Sequence, residues 1–258
     1  MIVLTVLFAT LLAVSSALPS PKDGRVVNGQ TATLGQFPFQ VLLKVNFVPG
    51  GSALCGGSLL SDQWVLTAGH CTEGASSFEV HLGAVDFDNK EDDGRVVLTA
   101  TEYYRHENYD PLFATNDVAV VKLPQPVEFN DRVQPVKLPK GSDSFSDRKA
   151  VVSGWGLQKN GGKVAEKLQY APLTVISNDE CSKTFSALVI KPSTLCAEGE
   201  HAESPCNGDS GGPLVLEGGN VQVGVVSFGH AEGCELGYPV AFARLTSFVD
   251  WVKEKTGL

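Results

Sequence analysis

From Val26 onward the chain breaks into short apolar runs separated by turn residues. Phe39 to Val45, Trp64 to Ala68, Val118 to Leu123, Ala150 to Ser153, Pro213 to Leu216 and Val221 to Phe228 are of this kind. They are rich in Val and Leu and bounded by Gly, Pro or Asn, which predicts strands, and many such strands at regular spacing predict a barrel or a sandwich. One stretch follows another period. Near the C-terminus Phe248, Trp251 and Val252 stand at i, i+3 and i+4, the spacing of one helix face. Thr246 or Ser247 is placed to cap that helix and Gly257 to end it, and we read it as a lid packed on a barrel. The Pro-punctuated stretch from Leu123 to Lys140 is the candidate boundary between two halves, and no internal repeat is visible.

Two segments precede this pattern. Ile2 to Val14 is apolar and Ser15-Ser16-Ala17 supplies small residues, so residues 1–17 read as a signal peptide cleaved after Ala17. No Lys or Arg precedes the apolar run, so the α-amine alone supplies the positive charge. A membrane anchor is the alternative, but the run is shorter than the roughly 20 residues that span a bilayer. Residues 18–25, Leu-Pro-Ser-Pro-Lys-Asp-Gly-Arg, are short and polar and have nothing to bury. The expected location is therefore secreted and extracellular.

Composition narrows the chemistry further. The chain has 258 residues, 43% of them hydrophobic, enough for a well-buried core, and 27 Gly and 14 Pro suit many turns. A net charge of −9 without any basic run argues against a nucleic-acid partner, whose phosphates need clustered Lys and Arg. Six cysteines on a secretory route suggest three disulfides, and no CxxC pair suggests zinc; spacing alone does not fix the pairing.

The strongest local signal is Cys206-Asn-Gly-Asp-Ser-Gly-Gly-Pro-Leu214. Glycines at 208, 211 and 212 let the backbone turn sharply around Ser210 and let a substrate approach without interference from a Cβ. On such a turn the N–H groups of Gly208 and Ser210 converge as an oxyanion hole beside a nucleophile. A Gly-rich serine turn alone is usually only a turn. A serine hydroxyl also needs a base. Among five histidines, His81, His106, His201 and His230 lie among polar or loop residues and read as solvated surface groups, whereas His70 ends the apolar run Val65-Leu-Thr-Ala-Gly-His-Cys71. Asp117 directly precedes a buried-strand pattern, Val118 to Leu123, where a carboxylate demands a partner. Singly, His70 reads as structural and Asp117 as a strand cap.

Together these segments resemble the chymotrypsin-like serine proteases. Leu66-Thr-Ala-Gly-His-Cys71, Asn116-Asp-Val-Ala-Val120, Gly154-Trp-Gly156, Gly208-Asp-Ser-Gly-Gly-Pro213 and Ser227-Phe-Gly229 carry the likeness from Arg25 to the end of the chain. The order His, Asp, Ser is that of this family rather than of subtilisins or α/β-hydrolases. The resemblance implies an all-β fold, two antiparallel six-stranded β-barrels with a C-terminal helix, over a protease domain of residues 26–258 whose halves join near 123–140. It implies His70, Asp117 and Ser210 as the catalytic triad, Gly208 and Ser210 as oxyanion donors, and disulfides Cys55–Cys71, Cys181–Cys196 and Cys206–Cys234. It further implies that residues 18–25 form an activation propeptide. Cleavage after Arg25 would free the α-amine of Val26 to pair with Asp209, by an activating trypsin-like protease.

By the same resemblance Ser204 lies at the floor of the primary specificity pocket, with Gly229 and Val240 as its walls and Ser227 and Gly229 on the strand that pairs with substrate. Ser204 carries no charge, so Lys or Arg preference is not expected, and Val240 should make the pocket apolar and shallower. Pro205 and Gly233 to Val240 look like arthropod digestive members, including collagenolytic ones. The expectation is a chymotrypsin- or elastase-like digestive endopeptidase, monomeric, acting on protein or peptide substrates, restrained by protein inhibitors, with no membrane partner. No cofactor and no metal are expected. Ala84 stands where calcium-binding members place a Glu, so Asp86 to Asp93 reads as a solvated acidic loop. Two other readings stand beside this one. One is a catalytically silent binding protein, which usually lacks a triad residue; the other is a trypsin-like regulatory protease, which Ser204 opposes.

Overall fold

The computed structural model describes residues 26–89 and 94–258. The expected signal peptide, the propeptide with Arg25, and residues 90–93 of the acidic stretch lie outside the described residues. No described helix is long and apolar enough to cross a membrane.

The first half contains β1 (Gln30–Thr31), β2 (Gln40–Phe47), β3 (Ser52–Leu59), β4 (Trp64–Thr67), β5 (Ala75–Leu82), β6 (Val96–Ala100), β7 (Glu102–Arg105) and β8 (Ala119–Lys122). The second contains β9 (Lys149–Gly154), β10 (Gln169–Ile176), β11 (Thr194–Glu198), β12 (Pro213–Leu216), β13 (Gln222–Phe228) and β14 (Val240–Arg244). A short helix α1 (Asn178–Cys181) and a C-terminal helix α2 (Val249–Thr256) complete the regular elements, with 3₁₀ turns at His70–Thr72 and Leu245–Ser247.

All the pairings between these strands are antiparallel, in two sheets ordered β6-β5-β2-β3-β4-β8-β7 and β1-β10-β11-β14-β13-β12-β9. Each closes on itself. In the first, β6 and β7 are one bent strand broken at Thr101, pairing with β5 before the bend and with β8 after it. In the second, β9 also pairs with β10, so six strands form a ring, and β1 adds itself to the edge of β10. Closure removes exposed sheet edges, which suits short strands with no helical cover.

Strand alternation explains why the runs read as almost continuously apolar. Val41, Leu43 and Val45 point into the first core with Phe78, Val80, Leu82 and Val120. Leu42, on the opposite face of the same strand, packs with Trp155 and Leu168 between the barrels. The second core holds Val152, Leu173, Leu195, Val223 and Phe242, and Val26 is buried in it. Two buried hydrogen bonds cross from one barrel to the other, Ser153 Oγ to Gln40 Oε1 (2.6 Å) and Ser58 Oγ to Gln222 Oε1 (2.6 Å).

The C-terminal helix packs on the first barrel through Phe248 and Val252, and Gly257 ends it in the left-handed region at φ 77°. Neither Thr246 nor Ser247 caps it. Leu245–Ser247 form a 3₁₀ turn that runs straight into α2, so Phe248 occupies the cap position without a side-chain bond. The six cysteines pair as Cys55–Cys71, Cys181–Cys196 and Cys206–Cys234.

Candidate active site

β4 leaves the first barrel and hands the chain to the 3₁₀ turn that begins at His70. Cys71 ties that turn to Cys55 on β3. Gly69 precedes it because space is lacking: a Cβ there would stand 3.2 Å from Asp117 Oδ1 and from the Tyr109 ring. Asp117 arrives just ahead of β8, which pairs with β4, so both residues emerge at the same end of neighbouring strands.

Asp117 is 1% exposed, and three donors satisfy it. His70 N–H donates to Oδ1 at 2.8 Å, His70 Nδ1 lies 2.8 Å from Oδ2, and Ser227 Oγ donates to Oδ2 at 2.5 Å. A carboxylate so placed makes Nδ1 the protonated nitrogen and leaves Nε2 free to accept. Burial alone would lower the His70 pKa; the hydrogen bond and charge of Asp117, with the charge of Glu73, outweigh it, and the net shift is upward.

The Ser210 loop comes from the second barrel and is pressed against the first. Gly56 N–H donates to the Ser210 carbonyl at 2.7 Å, and Cys71 Sγ lies 3.6 Å from the same oxygen. Glycine makes this approach possible, since a Cβ on Gly211 would stand 2.2 Å from Thr67 Oγ1 and 2.6 Å from Gly56 O. Within the loop, Asp209 N–H donates to Cys206 O, Gly211 N–H to Val226 O and Gly212 N–H to Asp209 O. Among the described residues the amides of Gly208 and Ser210 have no acceptor, which is rare for backbone donors away from the surface. Two unpaired donors flanking one serine form a ready site for negative charge. Among the described residues Ser210 Oγ forms no hydrogen bond with His70; the imidazole is bonded to the carboxylate and not to the hydroxyl.

A cavity of about 420 Å³ opens beside Ser210. Ser204, 2% exposed, lies in its lining, with its hydroxyl turned to Pro205 O (2.9 Å). Val240 lines it, as does Gly229, where an added Cβ would meet nothing within 4 Å. The Cys206–Cys234 disulfide forms part of the wall.

The Trypsin family model matches residues 26–252. The chain belongs to the Trypsin family. It is a serine endopeptidase of the chymotrypsin-like type, acting on protein substrates. It is 41% identical to collagenase of Hypoderma lineatum over 97% of each chain. It is 35% identical to brachyurin of Leptuca pugilator, over 90% of this chain and 99% of that one, and 36% identical to mouse (Mus musculus) chymotrypsin-C over the whole of both. The solved structure of HL collagenase superposes with a TM-score of 0.83 at 39% identity, covering 90% of this chain and 99% of that one.

Several residues of this Trypsin-family site escaped the sequence reading. Ser227, assigned to the substrate strand, is also the third donor to Asp117. His230, Tyr238 and Asn160 line the cavity. The His230 and Tyr238 rings lie 3.9 Å apart, and Asn160 Oδ1 accepts from Cys234 N at 3.1 Å. Asn160 comes from a loop far away in sequence, and only its contact with Cys234 reveals it.

The histidine reading needs correction. His81 is 3% exposed and bonded through Nε2 to Glu79 (2.7 Å); it lies on the face of β5 opposite Phe78, Val80 and Leu82, beside Leu42, whose side of the sheet is covered by the second barrel. His106 is half-buried against Phe248 and Trp251, and His230 is half-buried against Tyr238; His201 is exposed. In the acidic stretch the carbonyls of Asp86 and Phe87 accept from the Arg95 guanidinium, and Ala84 is buried between the barrels.

Proposed function

We propose that this protein is a secreted digestive endopeptidase, made as a zymogen and switched on by cleavage after Arg25. In this reading His70, Asp117 and Ser210 form the catalytic triad. The observation that carries it is the buried Asp117 carboxylate bonded twice to His70, beside a serine flanked by two unpaired amides.

The chemistry follows from the geometry. Asp117 fixes the Nδ1–H tautomer, so Nε2 takes the Ser210 proton as Oγ attacks the scissile carbonyl, and His70 then protonates the leaving amine. Water repeats the sequence on the acyl-enzyme. The oxyanion is bound by Gly208 N–H and Ser210 N–H, each worth about 3 kcal/mol of transition-state stabilisation. The missing Ser210–His70 bond accords with enzymes whose catalytic hydrogen bonds tighten only around substrate.

The same proposal covers activation. Asp209 is fully buried, and its carboxylate accepts from Gly156 N (2.7 Å) and Cys206 N (2.9 Å). Burial pushes its pKa up to about 6 against the pull of those two amides. Val27 already pairs with Ser204, next to the Ser210 loop, through Val27 N to Ser204 O (3.1 Å). A freed α-amine at Val26 would bring positive charge to the buried carboxylate.

An uncharged Ser204 and the apolar Val240 support a preference for apolar side chains, with Ser227 and Gly229 presenting the strand edge to substrate. The test is to cut the chain after Arg25 and assay peptide substrates ending in Arg, Phe, Leu or Ala, with Ser210→Ala as control. Turnover of Phe, Leu or Ala substrates is expected. No turnover would favour a binding protein, and Arg preference would restore a trypsin-like protease. The identity to a protein named collagenase adds native collagen to the substrates to assay.

A further inference from the structure

The sequence contains three Asn-Gly pairs, Asn28-Gly29, Asn160-Gly161 and Asn207-Gly208. Asparagine is a thermolabile residue, and a following glycine removes the Cβ that would hinder its own amide from reaching the asparagine side chain. Local bonding separates the three. Asn28 Nδ2 donates to His201 O at 2.9 Å, and Gly29 N–H is taken by Val26 O at 2.6 Å. The side chain of Asn160 is held by Cys234 N on its Oδ1. Asn207 is tied only through its main-chain carbonyl, which accepts from Leu157 N at 2.8 Å. Its side chain is exposed, has no hydrogen bond among the described residues, and lines the cavity beside Ser210. The Gly208 amide that follows is one of the two without an acceptor, with Gly208 at φ 102°.

We propose that Asn207 is a site of spontaneous deamidation, and that its modification inactivates the enzyme by consuming an oxyanion donor. This rests on the reading of Gly208 N–H given above. Gly208 N attacks Asn207 Cγ, an N–C bond forms, and the Cγ–Nδ2 bond breaks. Ammonia leaves with the proton that Gly208 N gives up, and a five-membered succinimide remains. Water then opens the ring at either carbonyl, giving aspartate or isoaspartate. Each product harms the site. In the succinimide Gly208 N has no proton to donate. In isoaspartate the backbone is one carbon longer and the amide is displaced. In aspartate the N–H returns, but a carboxylate stands at the cavity where negative charge develops. The proteolytic site thus carries its own clock, which substrate slows by occupying the Gly208 amide.

The experiment incubates the chain, cut after Arg25, at mildly alkaline pH and follows each Asn-Gly peptide by mass spectrometry with isoaspartate detection. A Ser210→Ala chain is followed in parallel, so that self-digestion does not enter the mapping. Activity is read in the wild type and in Asn207→Gln, whose longer side chain disfavours the five-membered ring, each normalised to its own starting rate. Modification at Asn207 should outpace that at Asn28 and Asn160. Activity should fall in step with the unmodified fraction, and Asn207→Gln should hold its rate. An active-site inhibitor should slow the reaction. Faster modification at Asn28 or Asn160, or decay of activity with Asn207 intact, would overturn the proposal. Modified Asn207 with undiminished activity would also overturn it, and would remove Gly208 from the oxyanion site. A cut chain with no activity at all would refute the proposed function, while the mass measurement alone still decides whether Asn207 reacts.

Discussion

His70 stands under opposing influences, burial pulling its pKa down and Asp117 with Glu73 raising it further than that. In the proposed mechanism protonated His70 cannot accept the Ser210 proton, so activity should fall as pH drops through this pKa. Because the net shift is upward, the acid limb of kcat/KM should lie above about pH 6.5, the ordinary histidine value. Asp117→Asn removes both the raising charge and the hold on the tautomer, and should cut kcat by about four orders of magnitude, the loss that substitution carries in this fold. A pH–rate series on both enzymes checks both statements. His81 behaves oppositely. Burial lowers its pKa; the Glu79 bond resists, and the charges of Lys44 and Arg95 add to the lowering. Its Nδ1 has no partner among the described residues, so folding favours the neutral ring. The unfolded chain therefore takes up the proton more readily, and stability present above about pH 6.5 is lost as pH falls below it. Denaturant titrations in a Ser210→Ala background should show a shallower acid loss for His81→Leu, and equal slopes would remove His81 as the cause. The two histidines also show what a single chain hides. His70 was legible because an apolar run and a cysteine fix it in place. His81 alternates with Phe78, Val80 and Leu82, which reads as the solvent face of β5, and nothing local shows that this face is covered where Leu42 packs between the barrels.

Among the elements, β3 shows how a strand escapes notice when its sequence serves an approach rather than a core. β3 reads poorly because Gly56 and Gly57 weaken it, yet Gly56 is where the Ser210 loop touches the first barrel. A Cβ on Gly56 would stand 2.8 Å from Gly212 Cα and 3.0 Å from its nitrogen, both backbone atoms that cannot turn aside. Gly56→Ala should therefore displace the loop, destabilise the protein by about 1–3 kcal/mol and lower kcat/KM by at least about tenfold. Unchanged kinetics would mean the loop is not held there. β10 hid behind Pro172, which the strand tolerates because it lies between the part that meets β1 and the part that meets β11. The other six apolar runs, with alternate residues in two cores, were read nearly to their ends. The cap of α2 was misread because local composition cannot show that a 3₁₀ turn continues into the helix.

At the scale of the molecule, the proposed activation and the stability of the fold meet at the buried Asp209. Its pKa of about 6 exceeds the ordinary carboxylate value of 3.8, so folding of the uncut chain favours the protonated form relative to the unfolded chain. Stability present below about pH 3.8 is lost as pH rises through about 6, a penalty of order 3 kcal/mol at neutral pH. In the uncut chain Asp209→Asn should raise the neutral-pH unfolding free energy, and after cutting it should lower activity. An uncut Asp209→Asn chain no more stable than the parent would contradict this. The central claim is that groups from two barrels converge on Ser210, and covalent labelling tests it most directly. A serine-directed sulfonyl fluoride, applied to the chain cut after Arg25, should place one label per chain on Ser210 and abolish activity in proportion, with no label in His70→Ala. Labelling of another residue with activity lost, or full labelling of Ser210 in His70→Ala, would contradict the account.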